Sequence, residues 1–119
     1  VDVAGLYRHF DGDGLQYGPE FQTIAEAHLG AGEGAATLHA TSPSWKGFLL
    51  PPPMLDGAIQ FLLAVAAEDP QFKGLHLPFR VGRLVLGPGQ AGARLKVHAA
   101  VQPGATGAET VGDIVLLDA

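Results

Sequence analysis

Residues 51–67 of the sequence read PPPMLDGAIQFLLAVAA. From Met54 to Ala67 this segment is apolar on nearly every side, and a helix with that pattern is buried rather than exposed on a surface. Pro53 suits the start of a helix, where its missing amide hydrogen costs nothing, and Pro70 stops the helix. The segment therefore predicts a long helix in the centre of the fold.

The segments on either side of this helix predict an antiparallel sheet. Before it, strands are expected at 23–29 and 35–41, separated by a glycine-rich hairpin loop. After it, strands are expected at 75–86, 93–101 and 110–117, because apolar and polar residues alternate or cluster there. About five strands curled around one buried helix form an α+β arrangement that is called the hot-dog fold.

A shorter amphipathic helix is expected at the start of the chain. Asp2 can cap it, apolar residues recur at helical spacing from Val3 to Phe10, and the turn-prone sequence DGDG ends it at 11–14. Residues 17–21, YGPEF, then predict a sharp turn with an aromatic residue on each side. Tyr17 and Phe21 on either side of this turn are expected to form a packed corner of the domain.

The composition limits the classes of function. The chain has 119 residues, enough for one domain, and 16% of them are charged, against a usual value of about 25%. Acidic residues outnumber basic ones 12 to 7 without a basic cluster, which argues against nucleic acid and anionic membrane as partners. There is no cysteine, no targeting segment and no apolar run near the ~20 residues of a spanning helix, so a cytoplasmic location is expected.

Two strongly polar residues interrupt the central helix, Asp56 and Gln60. A separation of four residues places them on one face, within hydrogen-bonding reach of each other. A carboxylate in such a helix loses hydration, which favours the protonated form that a general acid requires. Alternatively, Asp56 is an ordinary residue of a helix N-terminus that complements the helix dipole. Spacing alone leaves both interpretations open, and the adjacent Gly57 leaves room for close packing.

The histidines give weaker evidence for a functional site than Asp56 and Gln60 do. His28 and Gly32 have a His-x-x-x-Gly spacing, but Thr37 stands where a proline would complete a longer motif, so we interpret the spacing as chance. No two histidines share a ligand spacing with a carboxylate, and no metal site is predicted. The serines and threonines near residue 42 lack the glycines of a nucleophile elbow, which makes a serine hydrolase improbable.

Three segments in order, GLQYGPEFQ at 14–22, LLPPPMLDGAIQ at 49–60 and LPF at 77–79, resemble the second half of the dehydratase domain of polyketide synthases. That domain is a double hot dog in one chain. Its C-terminal half carries a Tyr-Gly-Pro-x-Phe turn, a Leu-Leu-Asp-x-x-x-Gln (or His) helix and a Leu-Pro-Phe strand. The resemblance implies that residues 1–119 form one hot dog, the C-terminal half, with a final strand of the family expected beyond residue 119.

The resemblance also implies a reaction, the removal of water from a β-hydroxyacyl thioester to give an α,β-unsaturated thioester. A histidine of the first half would remove the α-proton and Asp56 would protonate the departing hydroxyl. Gln60 would hold Asp56 in place, with Tyr17 beside the active site. The residues that would line the substrate tunnel are Gly18, Pro19, Phe21, Leu55, Gly57, Pro78 and Phe79.

No cofactor is implied, because the substrate arrives on the phosphopantetheine of an acyl carrier protein. The implied partners are that carrier protein and the N-terminal half of the same domain, with a homodimer as a further option. The family has a histidine where this chain has Pro51, so a contact at the start of the helix is expected to be lost. The His-x-x-x-Gly-x-x-x-x-Pro motif of the first half is also absent, and the chain alone is expected to be inactive.

Three other functions fit the same residues. A related double hot dog of the product-template, cyclase or isomerase type would share the fold and the acid. A non-catalytic hot dog would serve as a structural or docking module. A free-standing thioesterase or hydratase would complete its site across a dimer interface.

Overall fold

The central helix lies against one face of an antiparallel sheet. The computed structural model describes residues 2–41, 47–68, 81–85, 87, 91–102 and 111–118. In chain order its elements are α1 (Val3–Gly12), a 3-10 turn (Pro19–Phe21), β1 (Ile24–Leu29), β2 (Glu33–His39), α2 (Pro52–Ala67), β3 (Arg94–Val101) and β4 (Gly112–Asp118). The four described strands are ordered β1-β2-β3-β4, each antiparallel to its neighbour. This is the α+β hot-dog arrangement that the sequence predicts.

Helix α2 is buried as its apolar pattern predicts. Met54, Ala58 and Phe61 have no exposed surface, and they share one core with Leu38 of β2 and Val97 of β3. Burying a side chain as large as that of Phe61 stabilises the fold by roughly 1.5–3 kcal/mol. The packing of α2 on β2 and β3 is therefore the main source of stability in the described part of the chain.

The start of α2 keeps its backbone hydrogen bonds although Pro51 replaces the family's histidine. The Pro51 carbonyl accepts hydrogen bonds from the amides of Met54 at 2.9 Å and Leu55 at 3.1 Å. Helix α2 begins at Pro52, two residues before the predicted start, because proline is compatible with the first turn. The substitution at Pro51 thus leaves the helix start intact.

Two predicted boundaries are wrong for physical reasons. Gly34 was expected in the hairpin loop, but it lies in β2, where a Cβ atom would come within 2.9 Å of Phe61 Cζ and 3.2 Å of Val65 Cγ2. This glycine therefore allows α2 to approach the strand closely. Residues 81–85 of the expected strand 75–86 form no strand, and Val81 and Val85 are 70% and 71% exposed.

Residues 81–85 do not lie between any two of the described strands. β2 pairs directly with β3, and β3 pairs with β4, so no interior position remains between the described strands. The rest of the expected strand, residues 75–80 and 86, lies outside the described residues. None of the helices in the described part of the chain is long and apolar enough to cross a membrane.

A second glycine marks the closest approach between α2 and the sheet. A Cβ atom at Gly57 would clash with the Oγ1 atom of Thr23, the residue before β1. Thr23 is buried, and its hydroxyl donates a hydrogen bond to the Pro53 carbonyl at 3.2 Å. The close packing expected at Gly57 is therefore with the chain itself, at the start of β1.

We expect the substitution Gly57→Ala to lower the free energy of unfolding by up to about 2 kcal/mol. Overpacking a core typically costs 1–3 kcal/mol, and the higher helix propensity of alanine recovers about 1 kcal/mol of that. Urea unfolding followed by circular dichroism measures the change. The matched control is Gly12→Ala at the end of α1, where nothing lies within 4 Å of the new Cβ and no loss is expected. Equal stability of the two variants would contradict this packing.

Candidate active site

Asp56 and Gln60 form a hydrogen-bonded pair on one face of α2. The Gln60 Nε2 atom donates to Asp56 Oδ2 at 2.7 Å, one helical turn apart, as the spacing of four residues predicts. Asp56 is half-buried, and the adjacent Leu55 is 36% exposed, whereas Gln60 has no exposed surface. The carboxylate therefore lies at the edge of the core, anchored from the inside by a buried amide.

The side chain of Gln60 is saturated with partners from other segments. Its Nε2 atom also donates to the Phe21 carbonyl at 2.8 Å, and its Oε1 atom accepts from the Tyr7 hydroxyl at 2.9 Å. A buried amide that lacks such partners costs free energy, so this arrangement allows Gln60 to lie in an apolar core. Gln60 thus joins Asp56 to α1 and to the 3-10 turn.

Tyr7 is the site residue that sequence reasoning missed. It was counted only among the apolar residues of the first helix, but its hydroxyl both donates to Gln60 and accepts from the Ile24 amide at 3.2 Å. Burial raises the pKa of Tyr7 to about 12, and the charge of Asp56 adds to the rise. The signal available in the sequence was the hydroxyl itself, since a tyrosine on a core-facing position needs a polar partner.

Tyr17 lies beside the same pair without a hydrogen bond to it. Its ring packs edge-to-face against Tyr7 at 6.1 Å and Phe10 at 5.7 Å between centroids. Burial raises the pKa of Tyr17, and the negative charge of Asp56 raises it further. The predicted position of Tyr17 near Asp56 is thus compatible with the structure, in which the two side chains interact electrostatically.

The other candidate tunnel residues differ in exposure where the structure describes them. Gly18 and Pro19 are exposed on the turn, Phe21 is half-buried, and Gly57 is buried against Thr23. Pro78 and Phe79 lie outside the described residues. That these residues line a substrate tunnel stays a prediction.

The described histidines lie away from the pair. His28, His39 and His98 are exposed on strands, and His28 and His98 both pair with Ala35, so they lie in one row across the sheet. That row is on the face opposite α2, because the neighbouring Ala36 and Val97 are buried. Within the described ranges, no three His, Asp or Glu side chains cluster closely enough to hold a metal ion.

A family model described as "Polyketide synthase dehydratase N-terminal domain" matches residues 1–119. The chain belongs to the polyketide synthase dehydratase family. Two curated synthases are similar to it. ThaG of Burkholderia thailandensis is 32% identical over 83 residues, covering 70% of this chain and 1% of that protein. The highly reducing synthase ctvA of Aspergillus terreus is 37% identical over 121 residues, covering all of this chain and 5% of that protein.

Solved dehydratase domains have the same fold. An inactive histidine-to-phenylalanine mutant of the CurJ dehydratase has a TM-score of 0.84 at 20% identity, over 99% of this chain and 42% of that one. The dehydratase domain of PpsC from Mycobacterium tuberculosis has a TM-score of 0.68 at 30% identity, over 100% of this chain and 44% of that one. The chain spans less than half of these dehydratase chains. The family model is described as the N-terminal domain, so it does not confirm the expected C-terminal half.

The raised tyrosine pKa values predict an alkaline loss of stability. An ordinary tyrosine titrates near pH 10, whereas Tyr7 titrates at about 12 in the folded chain. The neutral hydroxyl therefore stabilises the fold fully below about pH 10, and this contribution is lost as the pH rises through about 12. We expect the free energy of unfolding to fall more between about pH 9 and pH 11 for the wild type than for Tyr7→Phe.

Urea unfolding at both pH values measures the two differences, and subtraction removes the lysine and arginine contributions that both proteins share. Tyr17→Phe is the control within the same aromatic cluster. It also removes a tyrosine hydroxyl whose pKa is raised, but that hydroxyl makes no hydrogen bond to Gln60. A pH dependence that is identical in wild type and Tyr7→Phe would contradict the buried position of this hydroxyl.

Proposed function

We propose that this chain is the C-terminal hot-dog half of a polyketide synthase dehydratase domain, with Asp56 as its general acid. The substrate is a β-hydroxyacyl thioester carried on the phosphopantetheine of an acyl carrier protein. The proposal is supported above all by the Asp56–Gln60 pair, a half-buried carboxylate anchored through one oxygen by a buried amide. Such a group is accessible from outside the core and has a defined orientation.

The chemistry needs an acid at this place because hydroxide is a poor leaving group. A base removes the α-proton of the thioester, the Cα=Cβ bond forms, and the Cβ–O bond breaks. Asp56 donates its proton to the departing oxygen, so that water leaves and the carboxylate remains. A positioned general acid contributes roughly 10²–10⁴-fold to such a step.

The base comes from outside this chain in our proposal. Among the described histidines, those on the strands lie on the sheet face opposite α2, and His9 is exposed on α1, 3.3 Å from the Asp13 carboxylate. A histidine of the other hot-dog half fits the fact that this chain spans 42–44% of two matched dehydratase chains.

The assignment to the C-terminal half rests on motif order rather than on the family model. Residues 14–22, 49–60 and 77–79 carry the turn, helix and strand motifs of that half in sequence. The N-terminal half would need a histidine directed at the acid. The one partial match, His28, is exposed on the opposite face of the sheet.

We therefore expect a His-x-x-x-Gly-x-x-x-x-Pro motif upstream of Val1, within roughly the 150 residues of one more domain. Sequencing the complete reading frame tests this expectation. Finding the motif downstream of Ala119 would instead make this chain the N-terminal half, as the description of the family model has it.

In the complete domain, we expect Asp56→Asn to lower the turnover of a β-hydroxyacyl-pantetheine thioester by at least about 100-fold, since the amide cannot donate the acid proton. Mass spectrometry of the dehydrated product measures the rate. The matched control is Asp113→Asn on β4, an exposed aspartate that also accepts from a glutamine, Gln102, at 3.0 Å. Its activity should stay at the wild-type level.

Retained activity of Asp56→Asn would exclude Asp56 as the acid. A product that is cyclised or isomerised without loss of water would assign the domain to the related double hot dogs instead. Dehydration by the 119-residue chain alone would show that a dimer, rather than a second half in the same polypeptide, completes the site.

A further inference from the structure

The hydrogen bonds that lead to Asp56 have one allowed direction. The Ile24 amide can only donate, and it donates to the Tyr7 hydroxyl at 3.2 Å. Since the hydroxyl has a single hydrogen, Tyr7 directs it to Gln60 Oε1 at 2.9 Å. The Tyr7 hydroxyl thus accepts a hydrogen bond from β1 and donates one to Gln60, and the amide oxygen faces Tyr7.

A second backbone group imposes the same orientation from the other side. The Phe21 carbonyl can only accept, so the Gln60 group 2.8 Å from it must be the NH₂ group. Oxygen and nitrogen of a glutamine amide are otherwise interchangeable in shape. Because the Phe21 carbonyl can only accept, the Gln60 amide has one orientation, with its oxygen facing the Tyr7 hydroxyl and its remaining N–H facing Asp56 Oδ2.

The position of the Tyr7 ring is also constrained. It packs edge-to-face against Phe10 at 6.2 Å and Tyr17 at 6.1 Å between centroids. Such arrangements are favourable beyond the area they bury, and they limit the tilt of the ring. The hydroxyl is therefore held at Gln60 by packing as well as by its two hydrogen bonds.

We propose that Tyr7 is a positioning residue for the acid, acting through Gln60. It holds the amide so that Asp56 Oδ2 always accepts a hydrogen bond, and the transferable proton is then on Oδ1. That proton passes from Oδ1 to the β-hydroxyl oxygen as the Cβ–O bond breaks, leaving the carboxylate and water. This inference rests on the proposed role of Asp56 as the acid.

The kinetic test compares Tyr7→Phe with Leu6→Ala in the complete dehydratase domain. Tyr7→Phe keeps the ring but removes the link to Gln60, and we expect kcat to fall about tenfold, the effect of one hydrogen bond, while KM stays within about twofold. Leu6 is a half-buried apolar residue of α1 that packs against the core. Leu6→Ala therefore loosens the same helix without removing a hydrogen bond or a ring contact of Tyr7, and its kcat should stay near the wild-type value. An equal loss in both variants, or none in Tyr7→Phe, would overturn the proposal.

A second measurement does not depend on catalysis. In nuclear magnetic resonance spectra of the wild-type domain, both side-chain amide protons of Gln60 should exchange slowly with solvent, because each is hydrogen-bonded inside the core. Tyr7→Phe should accelerate this exchange at least about tenfold, since the amide loses one of its three partners. Leu6→Ala is again the control for general loosening. Unchanged exchange in Tyr7→Phe would refute the positioning role even if Asp56 is the acid.

The two measurements distinguish a failure of the proposed function from a failure of the positioning role of Tyr7. If Asp56→Asn is active but Tyr7→Phe still releases the Gln60 protons, the proposed function is wrong and the orientation of the amide stands. If Asp56→Asn is inactive and Tyr7→Phe retains both its kcat and its slow exchange, Asp56 is the acid and Tyr7 has no positioning role.

Discussion

The complete burial of the Gln60 amide is the constraint around which this part of the molecule is arranged. A primary amide in an apolar core needs partners for both of its polar atoms, and α2 itself supplies only Asp56. The other partners come from Tyr7 of α1 and Phe21 of the 3-10 turn, which are far apart in sequence from Gln60. Satisfying one side chain therefore fixes two N-terminal segments against the central helix.

The same constraint connects the sheet to the site. Tyr7 completes its hydrogen bonding with the amide of Ile24, the first residue of β1, and Thr23 bonds to the first turn of α2 through Pro53. Gly57 permits this approach because a side chain there would collide with Thr23. The position of Asp56 thus depends on the hydrogen bonds of α1 and α2 to residues at the start of β1 as much as on the helix that carries it.

The local sequence pattern predicted most of the described helices and strands, but it did not predict all of the contacts between them. The apolar run of α2 and the alternation of β3 predicted both elements within two residues, and a separation of four residues predicted the Asp56–Gln60 pair. Gly34 was misplaced because a glycine required for helix packing looks like a loop glycine in sequence. Tyr7 was missed because its partners are 17 and 53 residues away, beyond the range of any local pattern.

The cost of Gln60 to the fold favours a role beyond stability. An apolar residue of similar size would fill the same space without requiring partners in two other segments, and buried polar groups are often neutral or unfavourable compared with such a replacement. Where a chain retains such a group, its use is frequently in a site that needs defined geometry. Gln60 is the buried neighbour of the half-exposed Asp56, and its donor atom bonds to the carboxylate at 2.7 Å. In our proposal, orientation of that carboxylate is the benefit that offsets the cost of the buried network.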